Sequence, residues 1–227
     1  MSIKVSAVIT SGGKALRFGK NKMLYLLKNK PVIIHTVKRF SQAKNINEII
    51  VLVKKEEINL YKDLFKKEKL NVKIVEAEKE RIMSVYKGVK EAKGKYVITH
   101  DGNRPLTPIK LIEKLIKEVI KYGAAMTAIP PTATIKTHKN LFIEKSLARQ
   151  DTWIAQTPQG FERKLLLKAF EKAINDKHFV STDDSEMVTK IGKKVKIVPG
   201  DEINMKITYL QDIIIADKLL SYTNKNE

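Results

Sequence analysis

The chain has 227 residues, of which 43% are hydrophobic and 30% are charged. We predict a single domain over residues 1–227, because this length supports a substantial core and is short for two large domains. The absence of cysteine excludes a disulfide scaffold, a thiol nucleophile and a cysteine-ligated metal site. We expect a cytoplasmic protein, since we see neither an export signal nor an apolar stretch of membrane-spanning length.

The formal net charge of +19 makes nucleic acid a partner to consider. The lysines are distributed along the chain in doublets such as 54–55, 66–67 and 193–194, and they form no long basic block. Aromatic residues make up 7% of the chain and do not alternate with basic residues, as recognition of single strands would favour. We therefore do not expect a nucleic-acid partner, and a small anionic substrate fits the charge equally well.

Short runs of valine and isoleucine alternate with segments of helical period in the first part of the chain. This order predicts an α/β fold, a Rossmann-like and mostly parallel sheet with helices on both faces. In chain order the predicted elements are strand 4–10, helix 31–41, strand 48–53, helix 56–69, strand 72–75, helix 84–93, strand 96–99, helix 108–122 and strand 124–129.

The alternation breaks after Ile129, where two consecutive prolines follow. Extended segments 133–137 and 140–144, joined by a polar turn, predict a protruding β-hairpin arm at about residues 131–152. Such an arm is suited to dimerisation, and a solvent-exposed insertion without a partner is the open alternative. Beyond the arm we expect an extended segment 153–156, a loop at 156–161, helix 163–175, helix 182–191, strand 195–198 and helix 210–221.

The loop after the first predicted strand combines glycines with basic residues. Gly12 and Gly13 permit close approach of the backbone to a ligand, so that backbone N–H groups can bind phosphate oxygens. The spacing matches neither the dinucleotide-binding motif nor the phosphate-loop motif. Arg17 and Lys22 in the same loop can stabilise charge on a transferring phosphoryl or nucleotidyl group.

Asp101 and Arg104 follow a predicted central strand, at the sheet edge where open α/β folds bind ligands. Asp101 can approach a magnesium ion or a substrate hydroxyl, and Arg104 can hold the loop through a carboxylate. A purely structural turn is the alternative.

Two positions farther along the chain have specific interpretations. Thr182, which precedes Asp183, is a candidate helix N-cap. Lys206 lies between Met205 and Ile207, and a cation in such an apolar run needs an anionic partner.

Taken in this order, the loops resemble those of the 2-C-methyl-D-erythritol 4-phosphate cytidylyltransferase family over nearly the whole chain. Each motif is weak by itself, and their order makes the resemblance specific. The matching segments are the glycine loop with Arg17 and Lys22, Lys30-Pro-Val-Ile-Ile-His-Thr36, Arg81-Ile-Met-Ser-Val-Tyr-Lys-Gly88, His100-Asp-x-x-Arg-Pro105, Thr134-Ile-Lys136, Gln156-Thr-Pro-Gln-Gly-Phe161, Thr182-Asp-Asp184 and Asn204-x-Lys-Ile-Thr208.

The resemblance implies a Mg²⁺-dependent nucleotidyltransferase of isoprenoid precursor synthesis. Such an enzyme transfers CMP from CTP to 2-C-methyl-D-erythritol 4-phosphate and releases pyrophosphate. The resemblance also implies a homodimer that exchanges its arms, so that Arg149 and Thr134 lie in the neighbour's site. By the same resemblance, Lys22 and Arg17 stabilise the transition state, and Lys206 positions the acceptor phosphate.

The resemblance further assigns residues to two substrate pockets and to the metal. The candidate contacts to cytosine and ribose are Ser84 and the backbone of Ser11, Gly12 and Gly13. The candidate acceptor contacts are Asp101, Thr157 and Thr182. Asp101 is also the candidate metal ligand.

Several alternatives stay open. Ala77 and Glu78 stand where the family has two glycines near the base, so the preference for cytosine is undecided. Ala133 stands where the family has an aspartate. A pentitol phosphate such as ribitol 5-phosphate is the alternative acceptor, because few side chains read a short polyol. A homologue that binds nucleotide or RNA without catalysis is the alternative from another class.

Overall fold

The computed structural model describes residues 4–12, 21–176, 181 and 183–226. Its strands are β1 (Val5–Thr10), β2 (Leu26–Leu27), β3 (Lys30–Pro31), β4 (Ile46–Val53), β5 (Lys73–Glu76), β6 (Tyr96–Asp101), β7 (Ala124–Ile129), β8 (Lys136–Lys139), β9 (Phe142–Ser146), β10 (Ile154–Glu162) and β11 (Lys196–Pro199). Its α-helices are α1 (Val32–Gln42), α2 (Ile58–Lys67), α3 (Arg81–Glu91), α4 (Ile109–Tyr122), α5 (Arg163–Asn175), α6 (Asp184–Lys190) and α7 (Gln211–Asn226).

Within the described residues, seven strands form one sheet in the order β11-β7-β10-β6-β1-β4-β5. Strand β10 is antiparallel to both of its neighbours, and the other strand pairs of this sheet are parallel. The predicted α/β fold with a mostly parallel sheet is therefore confirmed.

Helices cover both faces of the sheet, as the sequence predicts. Successive residues of a strand point to opposite faces, and in β1 Ala7 and Ile9 join one hydrophobic cluster while Val8 joins the other. The first cluster includes apolar residues of α1, α2 and α4, and the second includes those of α3, α5 and α6. A third cluster packs α7 against β2 and the segment that follows β6.

The predicted β-hairpin is present, shifted slightly toward the C-terminus. Strands β8 and β9 pair in antiparallel fashion, and Asn140 and Leu141 join them with φ angles of 49° and 68°. Positive φ at both positions is typical of a two-residue hairpin turn. The turn residue Leu141 and the next two residues, Phe142 and Ile143, are 90%, 79% and 69% exposed. The hairpin therefore presents an apolar tip to solvent.

Two local predictions were wrong. The segment expected to be a loop at 156–161 belongs to the buried strand β10, and its ladder with β7 is interrupted between Ala155 and Gln159. Pro158, which has no N–H to donate, lies in this interruption, so the strand carries no recognisable sequence pattern. The N-cap of α6 is Asp183 rather than Thr182, because the Asp183 carboxylate accepts the Glu186 N–H at 2.8 Å.

None of the helices in the described part of the chain is long and apolar enough to span a membrane.

Gly88 allows α3 to approach the sheet closely. A methyl group on Gly88 would lie 2.7 Å from Val8 Cγ1 and 2.9 Å from Leu52 Cδ2, in the core of the second face. We predict that Gly88→Ala lowers the free energy of unfolding by about 1–3 kcal/mol, the usual cost of overpacking. Urea denaturation measures the effect, with Lys90→Ala on the exposed side of α3 as the control. Equal stability of the two variants would contradict the close packing.

Candidate active site

A cavity of about 290 Å³ opens at the carboxyl ends of β1 and β6. Open α/β sheets bind ligands at this edge. Among the residues predicted for the site, the cavity is lined by Gly12, Lys22, Ser84, Asp101 and Lys206. The structure thus brings together residues from distant parts of the chain.

Asp101 lies at the centre of a cluster of cations. Its carboxylate oxygens lie 2.7 Å from Lys206 Nζ, 3.8 Å from Arg104 Nε and 3.9 Å from Arg81 Nη2. Burial by itself raises the pKa of Asp101, and the positive charges of Lys206, Arg81 and Arg104 more than offset this effect. The net result is a pKa well below the usual range, so Asp101 is an anion at neutral pH. Lys206 therefore has the anionic partner that its position predicts.

The backbone around Asp101 is fixed by neighbouring strands and by α1. The Asp101 N–H donates to Thr157 Oγ1 at 3.1 Å, and the Gly102 N–H donates to the Thr10 carbonyl at 2.9 Å. Thr36 on α1 donates its hydroxyl to the Gly102 carbonyl at 2.7 Å. The predicted acceptor contact Thr157 thus supports Asp101 directly.

His100, the residue before Asp101, is neutral at physiological pH. Its side chain is fully buried, and burial lowers its pKa to about 3. Its ring lies 4.7 Å from the ring of Phe40. The charge balance at Asp101 therefore depends on lysine and arginine, and not on the neighbouring imidazole.

Arg81 joins the candidate site to the start of α6. Its guanidinium contacts both carboxylate oxygens of the buried Asp184, at 2.8 and 3.3 Å. Asp184 is the main cause that raises the pKa of Arg81. Arg81 therefore stays charged while it faces Asp101, and it links two acidic residues on different elements. In the sequence Arg81 stands out only as part of a motif, and nothing there pairs it with Asp184.

The loop that carries Lys206 is bound to the loop that follows β6. Arg104 Nη1 donates to the Asn204 carbonyl at 2.7 Å, and Asn103 Nδ2 donates to the Ile207 carbonyl at 2.6 Å. The Ile207 N–H returns a hydrogen bond to the Asn103 carbonyl at 2.9 Å. These contacts on both sides of Lys206 fix its backbone relative to Asp101.

Ser84 organises the backbone of the segment 78–80, which contributes to the lining of the cavity. Its hydroxyl accepts the Glu78 N–H at 2.9 Å and donates to the Glu80 carbonyl at 2.9 Å. The Glu78 carboxylate pairs with Lys87 at 2.7 Å. A methyl group on Gly12 would lie 2.9 Å from Ala77 Cβ. The part of the cavity that the resemblance assigns to the base is therefore narrow between Gly12 and Ala77. Its shape is determined mainly by backbone groups.

The remaining predicted residues lie elsewhere. Arg149 and Thr134 are exposed on the arm, and neither belongs to the described lining of the cavity. Arg149 Nη1 contacts the Thr132 carbonyl at 3.4 Å. The predicted site residues Gly13, Arg17 and Thr182 lie outside the described residues.

The described side chains around Asp101 do not fit a metal ion held by the protein alone. In the part of the chain that the structure describes, no group of three or more His, Asp or Glu residues is arranged to hold a metal ion. The carboxylate of Asp101 already contacts Lys206 and faces two guanidinium groups. A metal ion at Asp101 would meet electrostatic repulsion from these cations.

Fold and site together define an α/β enzyme suited to anionic substrates, with cations gathered at the carboxyl edge of its sheet. The sequence profile of the 2-C-methyl-D-erythritol 4-phosphate cytidylyltransferase family matches residues 5–222. Proteins of that name from Bacillus cereus and Bacillus licheniformis are 34% identical over 216 residues and 35% identical over 230 residues. These alignments cover 94% and 100% of this chain, and 95% and 99% of the relatives.

A solved structure of 4-diphosphocytidyl-2C-methyl-D-erythritol synthase from Anaerococcus prevotii is similar over nearly its whole length. The TM-score is 0.87 at 32% identity, with 96% of each chain covered. The chain belongs to the 2-C-methyl-D-erythritol 4-phosphate cytidylyltransferase family, and it is a nucleotidyltransferase.

The cation cluster generates a prediction about stability and pH. We predict that Asp101→Asn lowers the free energy of unfolding by about 1–3 kcal/mol at pH 7, because it weakens the hydrogen bond from Lys206 and removes the negative charge that Arg81 and Arg104 face. The folded pKa of Asp101 lies below its unfolded value, so its contribution is present above about pH 4 and declines as the pH falls further.

Urea denaturation of both proteins at pH 7, 5 and 3 tests this prediction. The exposed Asp63→Asn serves as the control for a general effect of carboxylate removal. A stability difference between wild type and Asp101→Asn that grows below pH 4 would contradict the assignment.

Proposed function

We propose that this chain transfers CMP from CTP to 2-C-methyl-D-erythritol 4-phosphate, with release of pyrophosphate, in isoprenoid precursor synthesis. The observation that carries the proposal is the pair Lys22 and Lys206 in one cavity beside an ionised Asp101. Membership of the cytidylyltransferase family supports this substrate pair. The reaction joins two anions, so the site must supply positive charge to both.

In the proposed reaction, an oxygen of the acceptor phosphate forms a bond to the α-phosphorus of CTP, and the bond from that phosphorus to the bridging oxygen breaks. Pyrophosphate leaves with the electron pair of the broken bond. Lys22 stabilises the charge that develops on the α-phosphate, and Arg17 adds a second cation. Lys206, whose side chain is 45% exposed, holds the incoming phosphate in line.

Asp101 has two roles in this proposal. In the free chain it orients Lys206 through the ion pair at 2.7 Å. Because it remains ionised, its carboxylate can also accept a hydrogen bond from a hydroxyl of the acceptor. Thr157 supports the backbone of Asp101, and Thr182 completes the acceptor pocket in the proposal.

We propose that cytosine lies against Gly12 and the backbone held by Ser84. The short approach between Gly12 and Ala77 restricts the thickness of the pocket. The Glu78 carboxylate is engaged by Lys87, which leaves the backbone groups of residues 77–80 as the elements that recognise the base.

Magnesium enters the proposal as a counterion of the triphosphate. Mg²⁺ prefers phosphate oxygens and water, and it commonly uses few protein ligands in nucleotide sites. Removal of divalent cations with EDTA should abolish turnover and leave the melting temperature unchanged.

A cytoplasmic location is part of the same proposal, supported by the absence of cysteine.

We also propose a homodimer in which the arm of one subunit reaches the neighbour's site. The exposed apolar tip and the exposed position of Arg149 support this arrangement. The acceptor would then be held by Arg149 and Thr134 of one subunit together with Lys206 of the other.

The direct test measures pyrophosphate release from each of the four nucleoside triphosphates with Mg²⁺. Parallel reactions contain 2-C-methyl-D-erythritol 4-phosphate or ribitol 5-phosphate. We expect turnover with CTP and methylerythritol phosphate. Turnover only with ribitol phosphate, or with another base, would replace the proposed substrate pair, and inactivity with every pair would favour a binding protein.

Removal of the Lys22 cation should slow the chemical step. We predict that Lys22→Ala reduces kcat by 10²-fold or more, on the order observed when a donor to the transition state is lost. The exposed Lys66→Ala on α2 is the matched control and should keep wild-type turnover. A kcat for Lys22→Ala within about tenfold of wild type would remove Lys22 from the proposed mechanism.

Arm exchange predicts that two inactive subunits complement each other. In a mixed dimer of Lys22→Ala and Arg149→Ala subunits, one site receives Lys22 from one chain and Arg149 from the other. The purified mixed dimer has one complete site out of two and should show about half of wild-type activity, whereas an unsorted population paired at random from equal amounts should show about a quarter. Differently tagged subunits, produced together and purified through both tags, provide the measurement. An absence of recovery in a verified mixed dimer would contradict arm exchange.

A further inference from the structure

Lys22 sits in a turn that the side chain of Asn21 closes. The Leu24 N–H donates to the Asn21 carbonyl at 3.2 Å, and the Met23 N–H donates to Asn21 Oδ1 at 3.1 Å. Asparagine side chains commonly mimic a backbone turn in this way. The Ile33 N–H donates to the Met23 carbonyl at 3.1 Å. Asn21 therefore accepts hydrogen bonds from the two residues that follow Lys22, and the bond from Ile33 fixes Met23. These contacts restrict the backbone on both sides of Lys22.

The amide of Asn21 is itself anchored to the helical segment that follows β4. Asn21 Nδ2 donates to the Glu57 carboxylate, and the Asn21 side chain is near enough to the Tyr61 hydroxyl to lower the pKa of that group. Tyr61 is fully buried, and its ring lies 5.9 Å from the ring of Phe65. The turn at Lys22 is thus attached to a rigid part of the core.

Tyr61 also holds the other end of the glycine loop. Its hydroxyl lies 2.6 Å from Ser11 Oγ, at the end of β1. Burial raises the pKa of Tyr61 above its ordinary value, so the hydroxyl keeps its proton at every physiological pH. The buried Tyr61 hydroxyl therefore hydrogen-bonds to Ser11 and lies near Asn21, the residues that stand at the two ends of the loop.

We propose that Asn21 is a positioning residue for Lys22, held in place by Glu57 and Tyr61. The proposal rests on the proposed function, in which Lys22 stabilises the transition state. A cation accelerates a reaction only when it is fixed where charge develops, and a displacement of about 1 Å can reduce the rate by as much as 10²-fold. Asn21 supplies this constraint because its oxygen closes the turn while its amide is bound to the core.

The central experiment is a double-mutant cycle between Asn21 and Lys22. We expect Asn21→Ala to lower kcat by about tenfold or more and to leave the KM for methylerythritol phosphate within about twofold. In the Lys22→Ala background the same substitution should have little further effect on kcat, because Asn21 acts through Lys22. Losses that multiply in the double variant would overturn the proposal.

Substitutions of Glu57 and Tyr61 test the same role without changing the turn at Lys22. Glu57→Gln keeps an oxygen that can accept from Asn21 and should retain most of kcat, whereas Glu57→Ala should not. Tyr61→Phe removes only the hydroxyl that lies between Ser11 and Asn21 and should lower kcat. The exposed neighbour Glu56→Ala is the matched control. Equal kcat values for the glutamine and alanine variants at position 57 would contradict a role for this hydrogen bond.

Melting temperatures and wild-type turnover separate the possible failures. A variant that loses kcat at an unchanged melting temperature supports positioning, and a loss that tracks the melting temperature identifies Asn21 as merely structural. An inactive wild-type enzyme would overturn the proposed function together with this inference. An active wild type with independent effects of Asn21 and Lys22 would overturn this inference alone.

Discussion

A buried carboxylate requires cations, and among the described residues three cationic groups lie within 4 Å of Asp101. The cost of removing charge from water is high unless partners with good geometry compensate it. This requirement connects three distant parts of the chain: the start of α3, the end of β6 and the loop before α7. Each supplies one cation, and each is held by its own hydrogen bonds. The geometry of the site therefore follows from the need to neutralise one aspartate.

The same arrangement explains how a site that gathers cations for anionic substrates can be stable before substrate binds. Lys206 is close to Asp101 and half-exposed, so it can respond to an incoming phosphate without unfolding its loop. Arg81 and Arg104 are bound to Asp184 and to the Asn204 carbonyl, respectively, and have structural partners of their own. Lys22 lines the same cavity from a separate turn. The site thus combines Lys206, a cation that can move toward an incoming phosphate, with several cations whose positions are fixed.

Local sequence patterns predict most elements of the fold, because runs of valine and isoleucine and helical periodicity determine which faces are buried. The strand at residues 156–161 shows no such pattern, since its proline and polar side chains conceal an internal strand of the sheet. The start of α6 also shows the limit of local patterns. Thr182 and Asp183 are both good N-cap residues, and only the observed hydrogen bond to the Glu186 N–H identifies the second.

The contacts of the candidate site also include some that the local sequence predicts and others that it does not. The apolar neighbours of Lys206 predict that it has an anionic partner, but they do not identify Asp101, which is 105 residues away in the chain. The pair of Arg81 and Asp184 spans 103 residues and was not predicted. The link from Asn21 to Glu57 was also missed, because a turn residue and a glutamate 36 residues away have no shared sequence signature. Such contacts depend on the packing of the whole fold.

The ionisation of Asp101 in the free protein tests the central claim most directly. Carboxyl ¹³C NMR of a sample with labelled aspartate, assigned by comparison with Asp101→Asn, would follow the side chain as the pH is lowered. We predict a titration midpoint clearly below about 3.9, the ordinary value for aspartate, and no titration between pH 5 and 8. A midpoint at or above that value would show that the surrounding cations do not control Asp101, and it would contradict the electrostatic basis of the site.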